Sequence, residues 1–281
     1  MRILIAGCGY VGTALGLRLA RAGHEVWGLR RDPGQLPAPI RPVSADLLDP
    51  LLEIQLPHVD RVVYAVSADG SSEEQYRAAY VNGVANFLDA LESPGDPPLQ
   101  LVFVSSTAVY GDAGGEWVDE TTAPAPNDYR GALVLEGEEL VRAGSIPSVC
   151  LRLGGIYGPG RTRLLERVRS GEAKCPGGEP IWSNRIHRSD AAGALMHLLT
   201  TDPLDGTYIG VDDEPAPICE VYRYVAGLLG APEPQVDAGG SRRSNKRCSN
   251  RLLIASGYHF EFPSFREGYS ALLKSKPAGV G

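Results

Sequence analysis

The stretch RILIAGCGYVGTALGLRLARAGHEVWGLRR, residues 2–31, decides how the fold is read. An unbroken apolar run, Ile3 to Ala6, ends at Gly7, which is the pattern of a strand buried on both faces. From Tyr10 to Gly23 apolar residues recur at helical spacing and a glycine closes the segment; residues 24–30 read as the next strand. Between the first strand and the helix stand Gly7, Gly9 and Gly12, a G-x-G-x-x-G. The first glycine permits a tight turn, the second lets a pyrophosphate approach the backbone, and the third lets helix and strand pack closely, while the helix N-terminus faces the phosphates. Such a run carries weight only between a strand and a helix, and this one has both. The stretch predicts a dinucleotide site built from Gly7, Gly9, Tyr10, Val11 and Gly12.

The end of the second strand bears on which dinucleotide. An acid there would bind ribose hydroxyls, whereas this chain has Arg30 and Arg31, which can pair with a 2′-phosphate. That favours NADP and leaves NAD possible. The alternatives are that the arginines are solvated surface charges and that Asp32 reaches a ribose.

Working outward, strands are expected at residues 43–47, 60–66, 99–106 and 148–158, with helices at 73–92 and in the stretch 124–141. Tyr76, Tyr80, Val84, Phe87, Leu88 and Leu91 form one apolar stripe on the first of these helices. Strands alternating with helices mean βαβ units, so the expected fold is α/β, a doubly wound parallel sheet covered on both faces. Beyond Gly158 the alternation weakens. Helices are expected at 162–171, 189–199 and 218–229, a strand at 207–212, and a last helix near the C-terminus. The expected organisation is a nucleotide-binding domain over 1–158, completed by about 186–212, with residues 159–185 and 213–281 forming a small C-terminal substrate lobe.

Composition narrows the function classes. The chain has 281 residues, 43% hydrophobic and 22% charged, enough to bury a full core. Its net charge of −7 argues against non-specific nucleic-acid binding, which needs a basic surface. Five scattered cysteines, Cys8, Cys150, Cys175, Cys219 and Cys248, form no C-x-x-C pair, so neither a disulfide framework nor a metal site is indicated. The run before Cys8 is too short for a signal peptide and no later stretch approaches a membrane span, so a cytoplasmic protein is expected. The histidines show no metal spacing, and no G-x-S-x-G hydrolase signature is present.

Further segments carry a resemblance. SADLLD, with Asp46 and Leu47; YVNGVANFLDAL, with Asn82; FVSSTAVYGD, with Ser106; LRLGGIYGPGR; RIHRSDAAGAL, with His187 and Asp190; and the C-terminal NKRCSNRLLIASGYHFEFPSFREGY all resemble the extended short-chain dehydrogenase/reductase family, the NAD(P)-dependent epimerase/dehydratases. The resemblance implies a Rossmann domain in which Asp46 and Leu47 lie at the adenine and Asn82 points inward. It implies an active-site Ser106, a substrate contact at Thr107 and another at Arg161, and a homodimer through helices 73–92 and 128–143. His187 and Asp190 would fasten the lobe to the sheet.

The chemistry the resemblance implies uses a tyrosine hydroxyl to move a proton while the nicotinamide moves a hydride, with a lysine four residues later. Here PAPNDYRGALVLEGEELV, residues 124–141, departs from that pattern. Tyr129 is followed four residues on by Leu133. The flanking Pro126 and LEGEEL set a register one residue later, which puts Arg130 at the tyrosine position and Val134 at the lysine position. Neighbouring helical residues diverge by about 100°, so Arg130 and Tyr129 are expected to face different points. Tyr129 with Ser106 is the candidate catalytic pair of an NAD(P)-dependent oxidoreductase or epimerase/dehydratase-like enzyme acting on a carbonyl or sugar-nucleotide substrate, the alternative for Tyr129 being a packing or substrate-contacting role. The missing lysine keeps open a second reading, a protein that holds NADP(H) without chemistry, as a redox sensor would. Arg242, Arg243, Lys246 and Arg247 are read as either a solvated loop or a clamp for an anionic substrate.

Overall fold

A computed structural model describes residues 1–52, 56–93, 95–201, 205–237 and 244–274. In chain order the elements are β1 (Arg2–Ala6), α1 (Tyr10–Arg21), β2 (Glu25–Arg30), β3 (Ile40–Ser44), β4 (Arg61–Tyr64), α2 (Glu73–Arg77), α3 (Gly83–Glu92) and β5 (Gln100–Ser106). There follow β6 (Trp117–Val118), α4 (Tyr129–Ala143), β7 (Ser148–Leu153), β8 (Gly155–Tyr157), α5 (Arg163–Arg169), β9 (Cys175–Pro176), β10 (Trp182–Ser183), β11 (Arg185–His187) and α6 (Arg188–Thr200). The chain closes with β12 (Gly206–Gly210), β13 (Ala216–Pro217), α7 (Ile218–Leu229), β14 (Val236–Asp237), β15 (Arg247–Cys248), α8 (Arg251–Ala255) and α9 (Phe265–Lys274). Two compact units divide it: residues 1–110, 124–152 and 191–208 form the first, and residues 111–123, 153–190 and 209–281 the second.

A seven-stranded sheet runs in the order β12-β7-β5-β4-β1-β2-β3. The pairs β1–β2, β1–β4, β2–β3 and β4–β5 are parallel. The strand order reverses between β1 and β4, the switch point of a doubly wound α/β fold, so the expected fold class stands. In such sheets ligands bind outside the carboxyl ends of the strands at that point. Ala6 lies level with both Leu29 and Tyr64, which brings Gly7, Arg30 and Ala65 to the same edge.

Tyr64, Phe87 and Phe103 form the aromatic centre of the first unit's core, with ring centroids 5.6 and 5.7 Å apart. The helical stripe expected over 73–92 is present but interrupted, because residues 78–82 form a π-turn between α2 and α3. Ser72 starts α2 with a capping box, its hydroxyl accepting from the Gln75 amide and the Gln75 side chain accepting from the Ser72 amide.

Two expected strands are corrected. The one at 43–47 lies at Ile40–Ser44, because the Asp46 carboxylate accepts from the Leu48 amide at 3.0 Å and turns the chain there. The one at 148–158 is broken at Gly154 into β7 and β8. A Cβ at Gly154 would lie 2.8 Å from Val211 Cγ1 and 2.9 Å from the Asn184 carbonyl oxygen.

The second unit has a separate core in which Tyr157, Tyr222, Val225, Phe265 and Tyr269 are buried, with the Tyr157 and Tyr269 rings stacked at 4.5 Å. Asp190 is fully buried, accepting from the Tyr258 hydroxyl at 2.9 Å and from the amides of Glu261 and Phe262 at 2.7 and 3.0 Å. It ties residues 258–262 to the start of α6. His187 accepts from the Ser189 amide at 3.2 Å and packs 4.1 Å from the Phe262 ring, which is a structural placement.

Asp212 of the same unit is 2% exposed, and burial pushes its pKa up to about 8 against the pull of the Glu214 amide and Arg185. The unfolded chain ionises this group near 3.8 while the folded protein keeps it protonated to about 8. Asp212 therefore makes stability fall as pH rises between those values, with no further loss above. Asp212→Asn removes that slope, so the variant's advantage in urea-denaturation midpoint should grow from pH 5 to pH 8.

Candidate functional site

The glycine turn shows three different constraints. Gly7 has φ +76°, and a Cβ there would lie 2.5 Å from the Val66 amide nitrogen and 2.6 Å from the Ala65 carbonyl carbon. Gly12 would clash with the Gly7 carbonyl oxygen at 2.7 Å, so α1 can approach β1 only without a side chain here. Gly9 differs: nothing lies nearer to a built Cβ than the Gly7 carbonyl oxygen at 3.9 Å. That open space above the backbone is what a pyrophosphate requires. No side chain caps α1 at Gly9 and no acid sits in its first turn, so the positive end of the helix dipole is left for an anion. The cradle fits a dinucleotide.

Cys8 lies buried in this turn, and Thr13 donates to its carbonyl at 3.0 Å. Burial raises its pKa despite the Thr13 hydrogen bond and the positive charge of Arg30, which places Arg30's field at the turn. The Arg30 side chain has no hydrogen-bond or ion-pair partner among the described residues. Arg31 pairs with Asp69 at 2.6 Å. Asp32 is taken up in a turn, accepting from the Gly34 amide at 3.1 Å. The Ser44 hydroxyl donates to the Arg31 carbonyl at 3.2 Å, which brings the chain leading to Asp46 beside the same corner. Asp46 is exposed and Leu47 buried.

Asn82, expected to point inward, is exposed. The inward asparagine is Asn86, which donates to the Leu47 carbonyl at 2.9 Å. Asn82 is the last residue of a π-turn, so a facing read from regular α-helical spacing does not apply to it.

Ser106 ends β5 and starts the short 3₁₀ turn Thr107–Val109, its hydroxyl oxygen accepting from the Ala108 amide at 3.1 Å. The start of α4 packs onto that turn through Gly131, where a Cβ would lie 2.4 Å from the Ala108 carbonyl oxygen. Asp128 caps α4 by accepting from the amides of Arg130 and Gly131 at 3.0 and 3.2 Å. Tyr129 donates its hydroxyl proton to the Ser71 carbonyl, and its ring meets Tyr76 edge-on at 5.9 Å.

Arg130 overturns the expectation that it diverges from Tyr129. Its guanidinium bends back 5.6 Å over the Tyr129 ring, and its Nε donates to the Tyr129 hydroxyl at 3.4 Å. The long aliphatic stem spans the angular offset in the first helical turn, where no preceding turn obstructs it. Leu133 and Val134, the two positions a lysine could take, are each 2% exposed.

The rotation of α4 is held by a group that sequence reasoning missed. Glu138 is fully buried and receives Arg152 in a two-pronged pair at 2.8 and 2.7 Å, Arg142 at 2.5 Å, and the hydroxyl proton of Ser105. Arg152 also donates to the Tyr110 hydroxyl at 2.7 Å. Burial pushes the Glu138 pKa up, yet the Arg152 bonds and charge, with Ser105 and Arg142, hold it below the usual range. The available signal was a charged residue within an otherwise apolar strand, Arg152 in SVCLRL.

Of the basic cluster read as a solvated loop or a clamp, only Lys246 and Arg247 are among the described residues. Arg242 and Arg243 lie outside the described residues. Lys246 is buried, donating to the Gly111 carbonyl at 3.3 Å and the Ser244 hydroxyl at 3.0 Å, and burial lowers its pKa. Arg247 is placed over the Trp117 and Trp182 rings at 5.2 and 4.8 Å. Arg161 is exposed, its guanidinium donating to the Ile156 carbonyl at 3.3 Å. No His/Cys/Asp/Glu group able to hold a metal occurs among the described residues, and no helix among them is long and apolar enough to cross a membrane.

Comparison with known proteins gives consistent matches. The profile of the NAD dependent epimerase/dehydratase family matches residues 3–205. Protein YeeZ of Escherichia coli (strain K12) is 28% identical, covering 93% of this chain and 96% of its own. The dTDP-6-deoxy-L-talose 4-dehydrogenase (NAD(P)(+)) of Kitasatospora kifunensis is 30% identical over 89% of this chain and 77% of its own. Among solved structures, a Methylobacillus flagellatus protein provisionally named an NAD-dependent epimerase/dehydratase superposes with a TM-score of 0.82 at 37% identity, covering 98% of each chain.

The buried pair yields a stability prediction. Glu138→Gln leaves Arg152 charged and unpaired in the core and should cost about 3–5 kcal/mol in urea denaturation at pH 7. Because Glu138 ionises more readily in the fold, its contribution is present above the unfolded carboxylate pKa and lost as pH falls through the lower folded value, so the gap should close in acid.

Proposed function

Because the chain belongs to the NAD dependent epimerase/dehydratase family, we propose that it binds NADP(H), accepts NAD(H), and acts as an oxidoreductase or epimerase/dehydratase-type enzyme on a carbonyl or sugar-nucleotide substrate. The observation that carries this is the turn at Gly9, open above its backbone at an uncapped helix N-terminus, with the uncommitted Arg30 at the neighbouring strand end. Gly7, Gly9, Tyr10, Val11 and Gly12 hold the pyrophosphate in this reading, Arg30 and Arg31 meet a 2′-phosphate, and Asp46 and Leu47 line the adenine side. When bound, the nicotinamide supplies or accepts a hydride. The name of the Kitasatospora relative supports both a nucleotide-sugar substrate and the use of either cofactor.

The chain's own residues handle the proton. The Ser106 oxygen accepts an amide, and its own proton has no acceptor among the described residues, so it is free to be donated to a substrate oxygen. Tyr129 is the proposed proton relay, and Arg130 is the fixed cation at its hydroxyl in place of a lysine. For transfer, Tyr129 must release the Ser71 carbonyl. Thr107 and Arg161 are the proposed substrate contacts, and the protein is proposed to be a cytoplasmic homodimer through the helices over 73–92 and 128–143.

A second reading, a non-catalytic NADP(H) binder, is favoured by one observation: both possible lysine positions are buried and apolar, while the tyrosine proton is already engaged.

Three measurements separate these readings. Wild type should quench on NADPH addition with a micromolar Kd, and Gly9→Ala, whose added methyl group meets no protein atom closer than 3.9 Å, should weaken binding at least about tenfold with the fold retained. In a nucleotide-sugar and carbonyl panel, Tyr129→Phe should lower kcat about 100-fold or more. Tight NADPH binding without turnover selects the second reading, and no binding refutes both.

A further inference from the structure

Asp69 lies in the loop leaving β4, and its carboxylate accepts from the Arg31 guanidinium at 2.6 Å. Both side chains are mostly exposed, at 60% and 62%. The loop is nonetheless held at both ends. Its start packs against Gly7 through the backbone of Ala65 and Val66, and its end is fixed by the Ser72 capping box and by the Tyr129 bond to the Ser71 carbonyl. Asp69 is therefore presented to Arg31 by a braced segment.

The two arginines at this corner are not equivalent. The Arg30 guanidinium has no hydrogen-bond or ion-pair partner among the described residues, whereas that of Arg31 is paired with a carboxylate in contact with it. The remaining acids nearby contribute less to Arg31: Asp46 acts on it only at longer range, and Asp32 is bound to the Gly34 amide. A 2′-phosphate arriving at Arg31 must displace Asp69 or sit beside its negative charge, and NAD(H), lacking that phosphate, meets neither obstacle.

Resting on the cofactor reading above, we propose that Asp69 sets the discrimination between NADP(H) and NAD(H): it competes with the 2′-phosphate for Arg31, leaving Arg30 to carry the NADP(H) preference and keeping that preference modest.

The test is a double-mutant cycle read by direct binding of NADPH and NADH to purified full-length protein. Asp69→Asn should tighten NADPH about threefold or more at low ionic strength and leave NADH unchanged, a gain that shrinks at high salt. Arg31→Ala should abolish the NADPH gain that Asp69→Asn brings. Asp69→Glu should keep the wild-type ratio. A loop merely disordered by the substitution would move both cofactors together. An unchanged or weakened NADPH affinity in Asp69→Asn, or an equal change for both cofactors, overturns the proposal. Failure of the wild type to bind either cofactor would instead refute the underlying reading, and this proposal with it.

Discussion

The buried charge of Glu138 is the constraint to which much of the first unit answers. A carboxylate with no solvent exposure is tolerated only because Arg152, Arg142 and Ser105 satisfy it, and their positions on β7, on α4 itself and on β5 leave the helix one rotation. With Glu138 inward, Val134 lies one turn earlier on the same face, and Val141 nearly a turn later is buried with it. A lysine at Val134 would put a second cation near Arg152 inside the core. The absence of the dyad lysine is thus consistent with the packing of the whole helix, and Tyr129 and Arg130 are the polar groups at its open first turn.

A second constraint is close backbone approach. α1 descends onto β1 at Gly12, α4 meets the turn after β5 at Gly131, and it meets the π-turn at Gly137, where a Cβ would stand 2.4 Å from the Tyr80 carbonyl oxygen. The first two contacts bring the starts of α1 and α4 close to the ends of β1 and β5. Gly9, by contrast, borders no protein atom that requires it to be glycine, which is why its space is the part of the turn suited to a ligand.

Legibility followed the range of the interactions involved. The strand, glycine turn and helix of residues 2–31 were readable because each signal is local: apolar run, spacing, closing glycine. The family likeness reached nearly the whole chain for the same reason, through short segments. The side-chain orientations were much less readable. Asn82 ends a π-turn that no local pattern announces and is exposed, while Asn86 bonds the Leu47 carbonyl, and Arg130 reaches Tyr129 although an average helix would separate them. Lys246 and Arg247 look like a solvated basic run in sequence, but one is buried and the other lies over two tryptophans brought from residues 117 and 182.

By itself, the sequence determined the α/β class, the order of strands and helices along the chain, and the glycine turn, since these follow from periodicity and from backbone freedom within a few residues. Only the tertiary structure decided which charges remain available. Arg30 and Arg31 are neighbours in sequence and alike in chemistry, yet Asp69, 38 residues away from Arg31, neutralises one and not the other. Glu138 on α4 and Arg152 on β7 likewise become a buried pair only in the folded protein. Charge pairing depends on distance in space and on local dielectric, and neither exists until the sheet has assembled.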